Sequence, residues 1–274
     1  MIGVWWAILM VVGCVKSPAP FSYVGDPEAV VAVARSRPQA EGLRARFSLK
    51  ISTPGMGGTV PGSVMIAAPD RIRTEIYTPF GTPLMYLVSD GTFLHAWQNR
   101  DQIFYRGEQA GEVLANLTGG AVGIDDVIAL LTARLPMVGA EILHTGRVDF
   151  DKGGVALELA SPEEVTVRAV VDPATGMVVR LQVRAGERAD VETEDDLIMD
   201  VQYEGRVKVG KVKLPKRVLI SLPSMQWTIH LTIKSWAEFV PPDSVFELSV
   251  PAGGQEKDLI ESIKEMSKDK RERP

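Results

Sequence analysis

The sequence predicts a mainly β protein: a single antiparallel sheet of about ten or eleven strands, curled into an incomplete barrel and lidded by two or three α-helices. Three observations predict it. Apolar and polar residues alternate with period two in several separate segments, turn residues punctuate those segments, and one central stretch switches to helical spacing.

The elements follow in chain order. Asp26-Pro27-Glu28-Ala29 places a capping residue before a proline at the first helical position, so a short helix opens the folded part. Leu43, Ala45, Phe47, Leu49 and Ile51 then alternate with Arg44, Arg46, Ser48 and Lys50, which gives a strand one buried and one wet face. The pattern returns at Ile72, Thr74 and Ile76, at Val179, Leu181 and Val183, and at Trp227, Ile229, Leu231 and Ile233. Ser89-Asp90-Gly91, Gln98 to Asp101 and Asp172 to Gly176 sit between apolar runs as hairpin turns, so neighbouring strands are sequential. Val113, Leu114 and Leu117, then Ile124, Val127, Ile128, Leu131 and Leu135, recur every three or four residues and predict two helices in the middle of the chain.

Composition narrows the function. The 274 residues carry 30 Lys+Arg against 35 Asp+Glu, a net charge of -5, which gives no reason to expect nucleic acid. One cysteine closes no internal disulfide and makes no cysteine-based zinc site. Nucleophile elbows, phosphate-cradling glycine loops and zinc-binding helical His pairs do not occur, and His95, His144 and His230 stand in separate segments without ligand spacing. No catalytic residue, metal site or cofactor is therefore expected, beyond the acyl chains described next. An enzyme would have to gather its groups from distant strands and show a perturbed titratable cluster in a cleft.

Residues 1–13 carry no charge, and the apolar run from Ile2 to Val12 is too short to span a bilayer, so the segment reads as a signal peptide. Val11-Val12-Gly13-Cys14 resembles the lipobox of bacterial lipoproteins, which implies cleavage before Cys14 and acylation of that residue. Acyl chains on one residue hold a soluble domain at a membrane. Residues 14–26, with Lys16-Ser17-Pro18-Ala19-Pro20, then form a lipidated tether. Val15 after the cysteine, in the sorting pattern this resembles, implies the outer membrane and a periplasm-facing domain.

Two charged features and a tail complete the reading. Glu187 to Asp200 holds seven acidic residues against Arg188, a solvated loop without calcium-loop spacing. Arg206, Lys208, Lys211, Lys213, Lys216 and Arg217 surround Gly210 in a basic hairpin; such lysines block edge pairing or attract anionic headgroups. Residues 255–274 hold six basic and six acidic residues and read as a charged, frayed tail, with a docking helix as the sharper alternative.

The layout over residues 27–254 resembles the LolA/LolB-like family of lipoprotein carriers and outer-membrane receptors. The local likenesses are Tyr77-Thr78-Pro79-Phe80-Gly81, Asp172 to Met177, Leu214-Pro215, and Phe246-Glu247-Leu248 as a closing strand. The resemblance implies a non-enzymatic monomer whose half-barrel binds lipoprotein or lipid acyl chains and inserts them at the outer membrane, with a periplasmic carrier protein as a possible partner. The alternative is an envelope scaffold or sensor lipoprotein of the same fold that binds a protein and carries no lipid. Expected cavity residues are Phe47, Leu49, Ile72, Ile76, Leu87, Trp97, Leu181, Trp227, Ile229 and Leu231, with Val127, Ile128 and Leu131 from the lid. Phe80 and Leu84 flank a hairpin tip, where large apolar side chains have no core to enter, and the resemblance assigns them to membrane insertion.

Overall fold

A computed structural model describes residues 27–118, 123–136, 150–151, 154–161, 165–185 and 196–272. Cys14 with its flanking signal and tether, Asp26, His144 and the acidic stretch 187–195 lie outside the described residues.

Helix α1 (Pro27–Arg35) precedes strands β1 (Gly42–Thr53), β2 (Met56–Ala67), β3 (Arg71–Tyr77), β4 (Pro83–Ser89), β5 (Leu94–Gln98) and β6 (Ile103–Arg106). Helices α2 (Ala110–Thr118) and α3 (Ile124–Leu131) separate these from β7 (Phe150–Asp151), β8 (Gly154–Ser161), β9 (Val165–Asp172), β10 (Met177–Ala185), β11 (Leu197–Val209), β12 (Val212–Leu222) and β13 (Trp227–Glu238). Strand β14 (Gln255–Asp258) and helix α4 (Leu259–Glu272) end the fold.

All the strands join one open sheet in the order β14-β6-β5-β4-β3-β2-β1-β13-β12-β11-β10-β9-β8-β7. The first and second sets of strands are each a meander, and β1 pairing antiparallel with β13 welds them. The fold class is as the alternation predicted, an antiparallel sheet with few helices that is not closed into a barrel. Among the described residues the sheet holds 14 strands rather than ten or eleven. The excess includes β2, whose Gly, Pro and Ser residues hide the alternation, the two-residue β7, and β14, which lies parallel to β6 within the charged tail. Among the described residues, no helix is long and apolar enough to cross a membrane.

The tail differs from the expectation. Its apolar residues are spaced for one helix face, and α4 packs that face inward, leaving Ile263 only 6% exposed within the main core. The expected closing strand at Phe246-Glu247-Leu248 is instead a 3₁₀ turn, Asp243–Phe246, followed by extended chain.

Alternation gives the sheet two distinct faces. The inner face carries Leu43, Ala45, Val64, Ile66 and Ile72 and, across β13, Val218, Val201, Leu181 and Leu157; Val30, Val31 and Ala34 of α1, Val113 of α2 and Ile124 and Ile128 of α3 pack on it. On the outer face, residues 239–254 cross β2 to β6 as a strap. Phe246 of the strap, with Leu248, covers Ala67 and Val88 in a second small cluster. Arg71 pairs with Asp243 at 2.5 Å, and Arg73 donates to the Val245 carbonyl at 3.1 Å.

Candidate functional site: an apolar mouth at one end of the sheet

Burial on the inner face is graded along the strands. At the end where β1, β12 and β13 begin or end near residues 42, 212 and 238, the helices close the core. Arg37 follows α1, is 7% exposed, and donates to the carbonyls of Ala133 after α3 and Lys213 in β12. Burial first, then the neighbouring Arg134, pushes its pKa down to about 10, which leaves it cationic at neutral pH. Tyr203 in β11 donates to the Leu130 carbonyl in α3 at 2.8 Å, and burial raises its pKa. These two residues tie α3 to the sheet.

The cleft left between Arg37, Leu43, Ile66, Ile128, Thr132 and Leu214 has room for about 20 Å³. That volume suits a single water, whereas ligand pockets run to about 300 Å³ or more. This end of the inner face is therefore core.

Among the described residues, the opposite end is open. The register aligns Ile51 with Ile229, Ile220, Val201 and Leu181, and Leu49 with Leu231 and Val218. Val201, Leu181 and Val218 are buried, but Leu49, Ile51, Ile220 and Ile229 are only half-buried, and Trp227 at the rim is 37% exposed. Val127 and Leu131 of α3, also half-buried, pack against the same core. An apolar patch of this kind left open in a folded chain marks an interaction or ligand site.

Strand register puts the β3–β4 turn at this end too, because Gly62 opposes Ile76 while β1 and β2 run on to their own turn at Thr53 and Met56. The turn is closed by Thr78 N–H donating to the Thr82 carbonyl and by Gly81 N–H donating to Thr78, with Gly81 at φ +86°. That left-handed residue turns the chain so that Phe80 is 95% exposed. Met85, which opposes Ile76 on the inner face, is 38% exposed nearby.

The sequence-predicted residues therefore fall into groups. Leu49, Ile229 and Trp227 line the open end. Ile76 and Leu87 are half-buried on the inner face of β3 and β4. Phe47, Ile72, Leu181, Leu231 and Ile128 are buried in the core beneath, and Val127 and Leu131 stand beside them on α3.

Two placements differ from the expectation. Trp97 aligns with Tyr86 and Phe104 on the outer face, 4% exposed, with Gly254 of the strap against its ring. Its strand is buried on both faces, so alternation gives no direction. Leu84 is half-buried rather than at the tip, because the hairpin closes between Tyr77 and Pro83 and the Leu84 carbonyl accepts from Asn99 N–H at 2.9 Å. Sequence reasoning missed Ile220 and Met85, and read Ile51 as a strand residue without placing it in the cavity. The Met85 signal was available, since it lies one residue from Leu84 on the opposite strand face.

Chemistry-bearing groups are tied into structure. His95 stacks on Phe93 at 5.7 Å and accepts from Gly107 N–H, and burial lowers its pKa. Buried Asp200 receives Arg180 at 2.8 Å. Among the described residues, no three His, Cys, Asp or Glu side chains gather as a metal site.

No family model and no curated protein matches the chain. Solved structures do. A LolA superfamily protein from Nitrosomonas europaea matches with a TM-score of 0.54 at 13% identity, over 82% of this chain and 99% of that one. An outer membrane lipoprotein-sorting protein domain from Vibrio parahaemolyticus matches with a TM-score of 0.54 at 8% identity, over 77% and 90%. A DUF1329 family protein from Desulfovibrio piger matches with a TM-score of 0.53 at 10% identity, over 81% and 95%. The chain therefore has the LolA-like fold.

Proposed function

We propose that the open end of the inner face binds acyl chains, and that the protein accepts lipids or lipoproteins and inserts them at the outer membrane. The observation that carries this reading is the half-buried row Leu49, Ile51, Ile220 and Ile229, rimmed by Trp227 and lying at the same end as the exposed Phe80. Each acyl CH2 buried there contributes about 0.8 kcal/mol, so a chain of ordinary length is held without a special polar group. Binding and release need no covalent step, and the reading assigns no reaction and no cofactor.

Cys14 carries the covalent acyl anchor in this reading, and residues 14–26 tether a domain that faces the periplasm. Phe80 enters the bilayer from its tight loop and opens a path for cargo; Leu84, half-buried behind it, steadies the hairpin. The fold shared with the Vibrio lipoprotein-sorting domain and the Nitrosomonas LolA superfamily protein supports the reading. Native mass spectrometry of residues 15–274, looking for co-purified acyl lipid, tests it. An empty protein that also refuses added lipopeptide turns the reading toward the protein-binding scaffold.

A further inference from the structure

The outer face is covered unevenly. The strap of residues 239–254 hides its apolar half over β2 to β6, with Phe246 on Ala67 and Val88 and Gly254 on Trp97. No strap of this kind among the described residues crosses the other half, β1, β13, β12 and β11. The alternation that points Leu49, Leu231 and Val218 inward points Arg46 and Lys50 of β1, Lys213 of β12 and Lys208 of β11 outward, and the bulge that shifts β13 against Arg46 and Phe47 turns Lys234 the same way.

All five are exposed, and no carboxylate among the described residues pairs with them. Arg206 and Arg217 add two cations with partners, Asp172 at 2.5 Å and Glu204 at 2.9 Å. The face therefore carries a positive excess on a chain whose net charge is -5.

We propose that this half of the outer face docks on an anionic lipid surface. Two features select lipid over protein. None of the exposed large apolar residues, Val33, Phe80, Met85, Phe93, Trp227 and Val240, stands among the five cations in the register of these strands, whereas stable protein interfaces are anchored by buried aromatic or aliphatic hot spots. A spread of separate cations with Ser48, Thr232 and Ser235 between them suits a layer of phosphate headgroups, where each nearby Lys or Arg adds on its own. The inference goes beyond acyl binding and does not depend on it, because it uses the opposite face of the sheet. In the described register β10 and β13 flank the hairpin over Leu197–Gln202 and Arg217–Leu222, and beyond these its basic end pairs only with itself.

The test is flotation of the full chain carrying Cys14→Ser with two kinds of vesicle: phosphatidylcholine alone, and phosphatidylcholine mixed with phosphatidylglycerol. The proposal expects binding to the mixed vesicles only, falling with added salt over the range in which the Debye length shortens below about 8 Å. The combined variant Arg46→Glu, Lys208→Glu, Lys213→Glu and Lys234→Glu should bind at least about a hundredfold more weakly. The milder Lys208→Gln with Lys213→Gln keeps the fold under less strain and should lose about tenfold or more. Charge reversal of Lys257 and Lys264, exposed at the far edge of the sheet, should change little. Equal binding by the parent and the four-fold variant overturns the proposal, and so does a parent that binds polyglutamate or DNA but not anionic vesicles. Acyl-lipid content read by mass spectrometry stays unchanged in these variants, which separates this test from that of the mouth.

Discussion

The hydroxyl of Tyr203 donates to the main-chain carbonyl of Leu130 at 2.8 Å, joining the floor of the sheet to the last turn of α3. The two residues are 73 positions apart. That bond holds the last turn of α3 against β11, over the buried part of the inner face.

Tyr203→Phe removes a donor from a buried carbonyl and should cost about 1 kcal/mol in urea denaturation. Burial raises the folded-state pKa of Tyr203 above the unfolded value of about 10. The unfolded chain therefore ionises first, so the stability held by the neutral hydroxyl is complete below pH 10 and declines as pH rises beyond it. Denaturation midpoints of the parent should fall above that pH, and the fall should be shallower in Tyr203→Phe.

Arg37→Met tests the second fixing point. The substitution keeps the apolar stem but leaves the Ala133 and Lys213 carbonyls without their donor. The expected loss is about 2–6 kcal/mol, from two buried acceptors at about 1–3 kcal/mol each. Hydrogen exchange should rise in α3 and in β12 before it rises in β1 to β3. Uniform loss across the sheet would show that Arg37 does not act through these two contacts.

The inner face was legible in sequence wherever one side of a strand meets water. In β1, Arg44, Arg46 and Lys50 mark the wet side and leave Leu43 to Ile51 no ambiguity. In β5, where the strap and the helices bury both sides, the alternation disappears, and Trp97 is placed on the wrong face by sequence alone. The division of the inner face into packed and open ends was not legible either. Phe47 and Leu49 belong to one alternating run, yet Phe47 is buried with its ring against Gly62 and Leu49 is half-buried, a difference that depends on neighbours from distant parts of the chain. The tail misled because its balanced charges resemble a solvated terminus, while its few apolar residues suffice to seat α4.

Trp97→Ala separates the two faces. The ring is 4% exposed under the strap, so its removal should cost about 3–5 kcal/mol. Lipid affinity of the folded fraction should be unchanged, because the residue faces away from the mouth. A matching loss of affinity would place the binding site on the wrong side of the sheet.

Phe80→Glu should have the reverse profile. A side chain 95% exposed contributes almost nothing to folding, and stability should change by less than about 0.5 kcal/mol. Transfer of a fluorescent lipopeptide from the protein to vesicles should slow, while binding of the lipopeptide in solution is retained. Unchanged transfer removes Phe80 from the delivery step.

The central claim is that the open end of the inner face holds acyl chains. The direct measurement is native mass spectrometry of residues 15–274 beside Leu49→Asp and Ile229→Asp, after gentle purification and again after adding lipopeptide. The account predicts bound acyl lipid on the parent and a loss of at least about tenfold in affinity in either variant, since a charge is then set against the chain. A parent that is free of lipid and takes up none, or variants that bind as the parent does, would contradict it.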